Sequence, residues 1–259
     1  MKFYIYLFIF LLISCGGGSD SDQTSSQGVA IDGYLSNAVV FLDLNENGFL
    51  DEDEPSTLTD ESGGYSILAS NADLNKFPIV VQAIAGSTVD LDEPDVEISN
   101  SYNLSAPPGN TTVSPITTLV HAKMNEGLSL ADATDSVAED LSIDSSLDIM
   151  GDYVDAKTSN NNYSEIHNIA SALAEVLSEI ETLTPEASFS DKLSSLQSKM
   201  NSDIKPMLSS IKSAANPSAA KKLAGGGEGW FQWSGDYGNK RYSKLTQINT
   251  DNVDELELK

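Results

Sequence analysis

The sequence predicts an α+β, multidomain chain: a small β-sandwich over residues 29–108, followed by an all-α helical region over residues 109–223. Short β-branched and apolar runs, separated by Gly, Ser, Asn and Asp, fill the first part. After Pro107-Pro108-Gly109 the apolar spacing lengthens from two residues to about 3.6. Hydrophobic residues make up 40% of the 259 positions, which is enough to build cores.

The chain opens with Lys2 and an unbroken apolar run over residues 3–13. That run is too short to span a bilayer comfortably and suits the h-region of a signal peptide, here residues 1–14. It ends in Leu12-Ile13-Ser14-Cys15, which resembles a bacterial lipobox. The resemblance implies cleavage before Cys15, attachment of its thiol to diacylglycerol and anchoring in a membrane by acyl chains, each buried methylene contributing about 0.8 kcal/mol. Gly16 stands where Asp would favour inner-membrane retention, so the implied location is the outer membrane, facing the periplasm or the cell surface. Cys15 is the only cysteine, which leaves no intrachain disulfide. Residues 15–28 are Gly, Ser, Asp, Gln and Thr after the cysteine and read as a flexible tether.

Strands are expected where Val29, Ile31 and Leu35 lie, over residues 38–42, around Tyr65 and Ile67, and over residues 78–84. Val96-Glu97-Ile98 and Tyr102-Asn103-Leu104 are weaker strand segments. In the second part, Ser114-Pro115 is an N-cap and first-turn pair, and Gly127 ends the helix. Ser129 with Asp132 opens the next helix. The stripe Ile166, Ile169, Leu173, Val176, Leu177 and Ile180 marks the longest helix, closed by Thr184-Pro185. Leu193, Leu196, Met200 and Ile204 begin a fourth, interrupted at Pro206. Residues 159–162 form a loop, and residues 224–229 are a Gly-rich linker.

Thirty-nine acidic side chains against 14 basic ones give a formal charge of -25. Phosphate recognition needs clustered Lys and Arg, so nucleic acid is excluded as a partner, as is basic docking on an anionic membrane surface. Most of these carboxylates serve as a solvated surface. One set stands out: residues 43–54 match the calcium-loop pattern D-x-[DN]-x-[DN]-G-x5-E at every specified position. Calcium takes several oxygens in a loose shell. Asp43, Asn45 and Asn47 would supply side-chain oxygens, Phe49 its carbonyl, Asp51 a direct or water-bridged contact, and Glu54 both carboxylate oxygens. Gly48 allows the turn. Pro55 follows at once, so no helix leaves the loop as in an EF-hand. With Thr59-Asp60 and Gly64-Tyr65 beyond it, the segment resembles calcium loops in bacterial surface β-domains, which implies a structural ion holding strands together. The same residues also suit a metal-free acidic hairpin. Asp90-Leu91-Asp92-Glu93-Pro94-Asp95 lacks the ligand spacing and reads as an exposed loop. His121 and His167 lie apart, on different helices, and read as core-edge or surface residues rather than ligands.

From Trp230 onward, Gly235, Asp236, Asn239, Arg241, Tyr242 and Ser243, with Leu245, Gln247, Ile248 and Asn249, fit a dense pattern. This stretch resembles the opening of the pyrroloquinoline-quinone (PQQ) dehydrogenases, large β-propellers, with Ser234 and Lys244 departing from the usual Gly and Pro. The resemblance implies that residues 230–259 are an incomplete first segment of a propeller, in which Arg241 and Tyr242 pack and hydrogen-bond rather than catalyse. A complete parent would use PQQ and a second calcium ion to oxidise an alcohol or sugar. The expectation is a membrane-anchored accessory region of such an enzyme, truncated, with no catalytic residue of its own. A rival expectation is a non-enzymatic calcium-binding lipoprotein that binds a protein or glycan.

Overall fold

The computed structural model describes residues 23–225 as a mixed α/β fold of small sheets and helices, with no closed barrel. Strands are β1 (Gln23–Ala30), β2 (Leu35–Ser36), β3 (Val39–Leu42), β4 (Ser56–Leu58) and β5 (Gly64–Ser70). After the short helix α1 (Asn71–Leu74) come β6 (Ile79–Ala83), β7 (Val89–Asp90), β8 (Tyr102–Ala106) and β9 (Thr112–Val113). They pair in the orders β5-β1-β9, β2-β7 and β4-β3-β6-β8. All pairings are antiparallel except β1 with β9.

The four-stranded sheet is apolar on both faces. Along β3, Val40 and Leu42 join the main core while Phe41 points into a second cluster; along β6, Ile79 and Val81 face one way and Val80 the other. Successive residues of a strand address opposite faces, so an unbroken apolar run requires cover on both. The second cluster is closed by Ala122, Phe189 and Leu193 from the helices. The main cluster runs without a break from Ala30, Leu42 and Leu104 to Ile116, Ile169 and Ile211. The expected boundary at residues 108 and 109 therefore falls inside one continuous core.

The helices are α2 (Pro115–Asn125), α3 (Leu130–Asp140), α4 (Tyr153–Ala156), α5 (Tyr163–Leu183), α6 (Phe189–Lys199), α7 (Leu208–Lys212) and α8 (Pro217–Ala224). Ser114 caps α2 as expected, and Thr117 completes the box by returning a hydroxyl to the Ser114 N–H. The same turn is bolted to β8: Thr118 Oγ1 accepts from the Ser105 N–H at 2.8 Å and Thr117 Oγ1 donates to the Ser105 carbonyl at 2.9 Å. Ser129 caps α3 and Gly127 lies at φ 101°, as the end of α2 requires. Pro206 has no N–H to give, so α6 does not run on as an α-helix. The chain widens into a π turn over Met200–Ile204 and tightens into a 3-10 turn over Lys205–Met207 before α7 begins.

Residues 23–28 of the expected tether belong to β1, where Gln23 sits opposite Ser70 and Val29 opposite Gly64. Backbone pairing holds this ribbon, with Ser25 and Ser66 hydroxyls 2.6 Å apart, so its lack of apolar side chains does not forbid a strand. Val96-Glu97-Ile98 forms no strand. The short helices α1, α4 and α8 lie beyond the expected four, each started by a capping side chain, Ser70, Asp152 and Asn216, and α7 follows the break at Pro206. The signal peptide, Cys15 and residues 230–259 lie outside the described residues.

Because sheets and helices share one core, the chain is expected to unfold in a single transition that tracks both the β and helical signals. Ile169→Ala, which opens a cavity where α5 is fully buried, is expected to cost about 2–5 kcal/mol in urea titration. Two separated transitions would contradict the shared core.

Candidate functional site: the acidic loop and a buried charge cluster

The loop of residues 43–54 leaves β3 and returns to β4, and hydrogen bonds within it link Asp43, Asn45, Asn47, Asp51 and Glu54. Asp43 is fully buried and accepts from the Asn47 and Gly48 N–H groups at 3.1 and 2.8 Å. Glu54, also buried, clasps the two ends by accepting from the Leu44 N–H at 2.8 Å and the Asp51 N–H at 3.1 Å. Asn45 and Asn47 both donate side-chain N–H groups to Asp51 Oδ2, at 2.7 and 2.9 Å. Gly48 has φ 78°, and a Cβ there would meet the Phe189 ring at 2.6 Å, so its place admits no side chain. Asn103 of β8 donates to the Gly48 carbonyl at 2.9 Å, and Lys192 of α6 lies 5.5 Å from the centre of the Phe49 ring. The loop is thus packed against both the sheet and α6.

Burial pushes the Asp43 carboxyl up, against the pull of its backbone hydrogen bonds. Burial likewise raises Glu54, and the charges of Asp43 and Asp51 add to the effect. Among the described residues no lysine pairs with Asp43, Asp51 or Glu54. That mutual repulsion suits a hard cation. The carboxylates alone do not form a metal group: among the described residues no cluster of three or more His, Cys, Asp or Glu is arranged to hold an ion. A calcium shell here needs the neutral oxygens of Asn45, Asn47 and Phe49, as the loop pattern specifies.

The second feature went unread in the sequence. Asp90 is buried, not part of an exposed loop, and its Oδ2 lies 3.0 Å from Lys221 Nζ of α8. The same ammonium stands 3.2 Å from Oδ2 of Asp32, a carboxylate with no exposure at all. Tyr102 of β8 donates to Asp32 Oδ2 at 3.1 Å. Asp32 Oδ1 has no aligned hydrogen bond among the described residues, although the Ser171 hydroxyl is close enough to favour the charged form. Burial holds the Asp32 carboxyl at about 6, even with Lys221 pulling it down. Lys221 is raised: its two carboxylate neighbours outweigh the cost of burying it.

Beside this triad, His167 is buried too, rather than lying at the core edge. Lys157 Nζ donates to its Nδ1 at 2.7 Å, which places the imidazole proton on Nε2. Nε2 faces Asp92 Oδ2 at 2.6 Å, out of line for a hydrogen bond. Burial alone would raise Asp92; the contacts with His167, Lys157 and Lys221 prevail and lower it. Tyr153 donates to the Ile31 carbonyl at 3.2 Å and so ties α4 to the end of β1. The carboxylates at Asp90 and Asp92 were visible in the sequence, but their lysine and histidine partners come from the helical part far along the chain.

His121 has a different environment, hydrogen-bonded to the Ser105 hydroxyl at 2.9 Å and tilted against Phe189. Burial pushes its imidazole down to about 4. The unfolded chain takes up that proton near 6.5 and the folded chain only near 4, so stability is full above 6.5 and falls with pH through that window. The loss is expected to reach about 3 kcal/mol. His121→Gln should flatten this part of the stability-pH curve relative to the parent chain, measured by denaturant titration from neutral to acid pH.

Comparison with protein-family models, with curated proteins and with solved structures finds no match to the chain.

Proposed function

We propose that the chain is a lipid-anchored, calcium-braced unit that precedes the propeller of a PQQ-dependent dehydrogenase. The supporting observation is the loop of residues 43–54, in which hydrogen bonds draw Asp43, Asn45, Asn47, Asp51 and Glu54 together and buried Asp43 and Glu54 face no lysine among the described residues. Calcium fits that deficit. Asn45 and Asn47 can turn their amide oxygens inward when an ion replaces the N–H contacts to Asp51. Phe49 adds its carbonyl, and Asp51 and Glu54 close the shell. The ion's role is structural: the loop ends are strands β3 and β4, and its turn rests on β8 and α6. Affinity in the range of extracellular modules, on the order of 10⁻⁴ to 10⁻³ M, suits such a brace.

The two larger sheets, β5-β1-β9 and β4-β3-β6-β8, read as the faces of a β-sandwich whose open sides the helical region covers. Anchoring through Cys15 would hold this unit at the outer membrane, and the pattern from Trp230 to Ser243 would lead from α8 into the first propeller blade. On this reading PQQ and its own calcium belong to the propeller of a complete parent, and this unit supplies attachment and spacing.

Calcium is expected to raise the melting temperature of the chain by several degrees, and chelation to reverse the shift. Asp43→Asn should weaken the response while leaving the fold intact by circular dichroism. A melt indifferent to calcium at millimolar levels would leave the acidic loop a metal-free hairpin. The enzyme reading has its own test: the coding DNA downstream of Lys259 should encode repeated propeller blades. Downstream sequence with no such repeats favours the non-enzymatic surface lipoprotein instead.

A further inference from the structure

The triad of Lys221, Asp32 and Asp90 holds the ingredients for a covalent bond. We propose that Lys221 and Asp32 join in an intramolecular amide, with Asp90 carrying the proton that must move. The geometry assigns each part. Lys221 Nζ lies 3.2 Å from Asp32 Oδ2 and 3.0 Å from Asp90 Oδ2. Asp32 is wholly enclosed, so water competes poorly for its carboxyl carbon. Tyr102 donates to Asp32 Oδ2, the oxygen that becomes negative when the carbon is attacked. Oδ1, which has no aligned partner among the described residues, is the oxygen that leaves. Asp90, Tyr102, Lys221 and Glu175 line a cleft of about 310 Å³ into which the released water can pass.

The step balances without an oxidant or other co-reactant. The reactive form pairs Lys221 as an ammonium with Asp32 as the carboxylic acid, which burial raises to about 6 and which is therefore a minority at neutral pH that grows as pH falls. Lys221 passes one proton to Asp90. The free amine attacks the Asp32 carboxyl carbon, the C–N bond forms, and the bond from that carbon to Oδ1 breaks. The departing hydroxyl takes a second hydrogen from the nitrogen and leaves as water. One hydrogen stays on the amide nitrogen, and Asp90 ends protonated. Because the ion-paired ammonium is the resting form, the proton transfer to Asp90 sets the pace. The product fastens the residue two beyond β1 to the last described helix, so that a pull between the lipid anchor and the C-terminal segment would run through a covalent link instead of through the core. The proposal is independent of calcium and of the propeller.

The test is peptide mapping of the folded full-length chain after denaturing digestion. The expected result is a branched peptide joining the Asp32 and Lys221 segments, lighter than their sum by one water, with the fragmentation pattern locating the junction. Lys221→Arg should abolish it, and Asp90→Ala should leave a folded chain, by circular dichroism and a cooperative melt, in which the branched peptide forms at least tenfold more slowly. Recovery of Asp32 and Lys221 only in separate, unmodified peptides from the folded parent chain would overturn the proposal, whatever the variants do. An undiminished rate in folded Asp90→Ala would overturn the role given to Asp90.

Discussion

Two carboxylates that the fold buries completely or nearly so, Asp32 and Asp90, depend on a single ammonium delivered from the last helix. Leaving a buried charge without its partner costs about 3–5 kcal/mol, so the seating of α8 and the integrity of the strand region are one problem. The composition makes this acute. Between residues 29 and 110 Lys76 is the sole basic residue, in a chain that carries -25 overall. The strand region cannot neutralise its own interior and draws its positive charge from elsewhere: Lys221 and Lys157 from the helical part and, on the proposed reading, calcium at the loop.

The helical lysines are used economically. Lys123 and Lys205 share Asp140, Lys199 bridges Glu179 and Asp203, Lys192 meets Glu181, and Lys212 meets Glu165. Partly exposed pairs of this kind are worth about 0–1 kcal/mol each, so they steer helix placement more than they stabilise it. Stability comes from the core that β3, β6 and β8 share with α2 and α5, and from the second cluster in which Phe189 sits over Phe41 and Val80. Phe189 also touches the acidic loop at Gly48. A cation there would bear on α6 as well as on the two strands it joins.

Local chemistry was legible where it acts over a few residues. Ser114-Pro115, Ser129 with Asp132 and the α5 stripe all correspond to structure, because capping and helical periodicity are each complete within about a dozen positions. Non-local pairing was not. The polar half of β1 is a strand only because β5 lies beside it, and an amphipathic or β-branched pattern never had reason to mark it. The turn after Met200 divides into π and 3-10 pieces in response to Pro206 and to the packing of Met200, Ile204 and Met207 together.

What the sequence determined by itself was the order of a strand-rich part before a helical part, the acidic balance and the residue spacing over 43–54, since these depend on neighbours along the chain. What only the tertiary structure decided was which charges meet. Asp32, Asp90 and Lys221 are far apart in sequence, and each looks like an ordinary surface residue until β1, β7 and α8 converge. The reason is electrostatic: a carboxylate's chemistry follows its desolvation and its nearest opposite charge, and both are properties of the packed chain rather than of any stretch of residues.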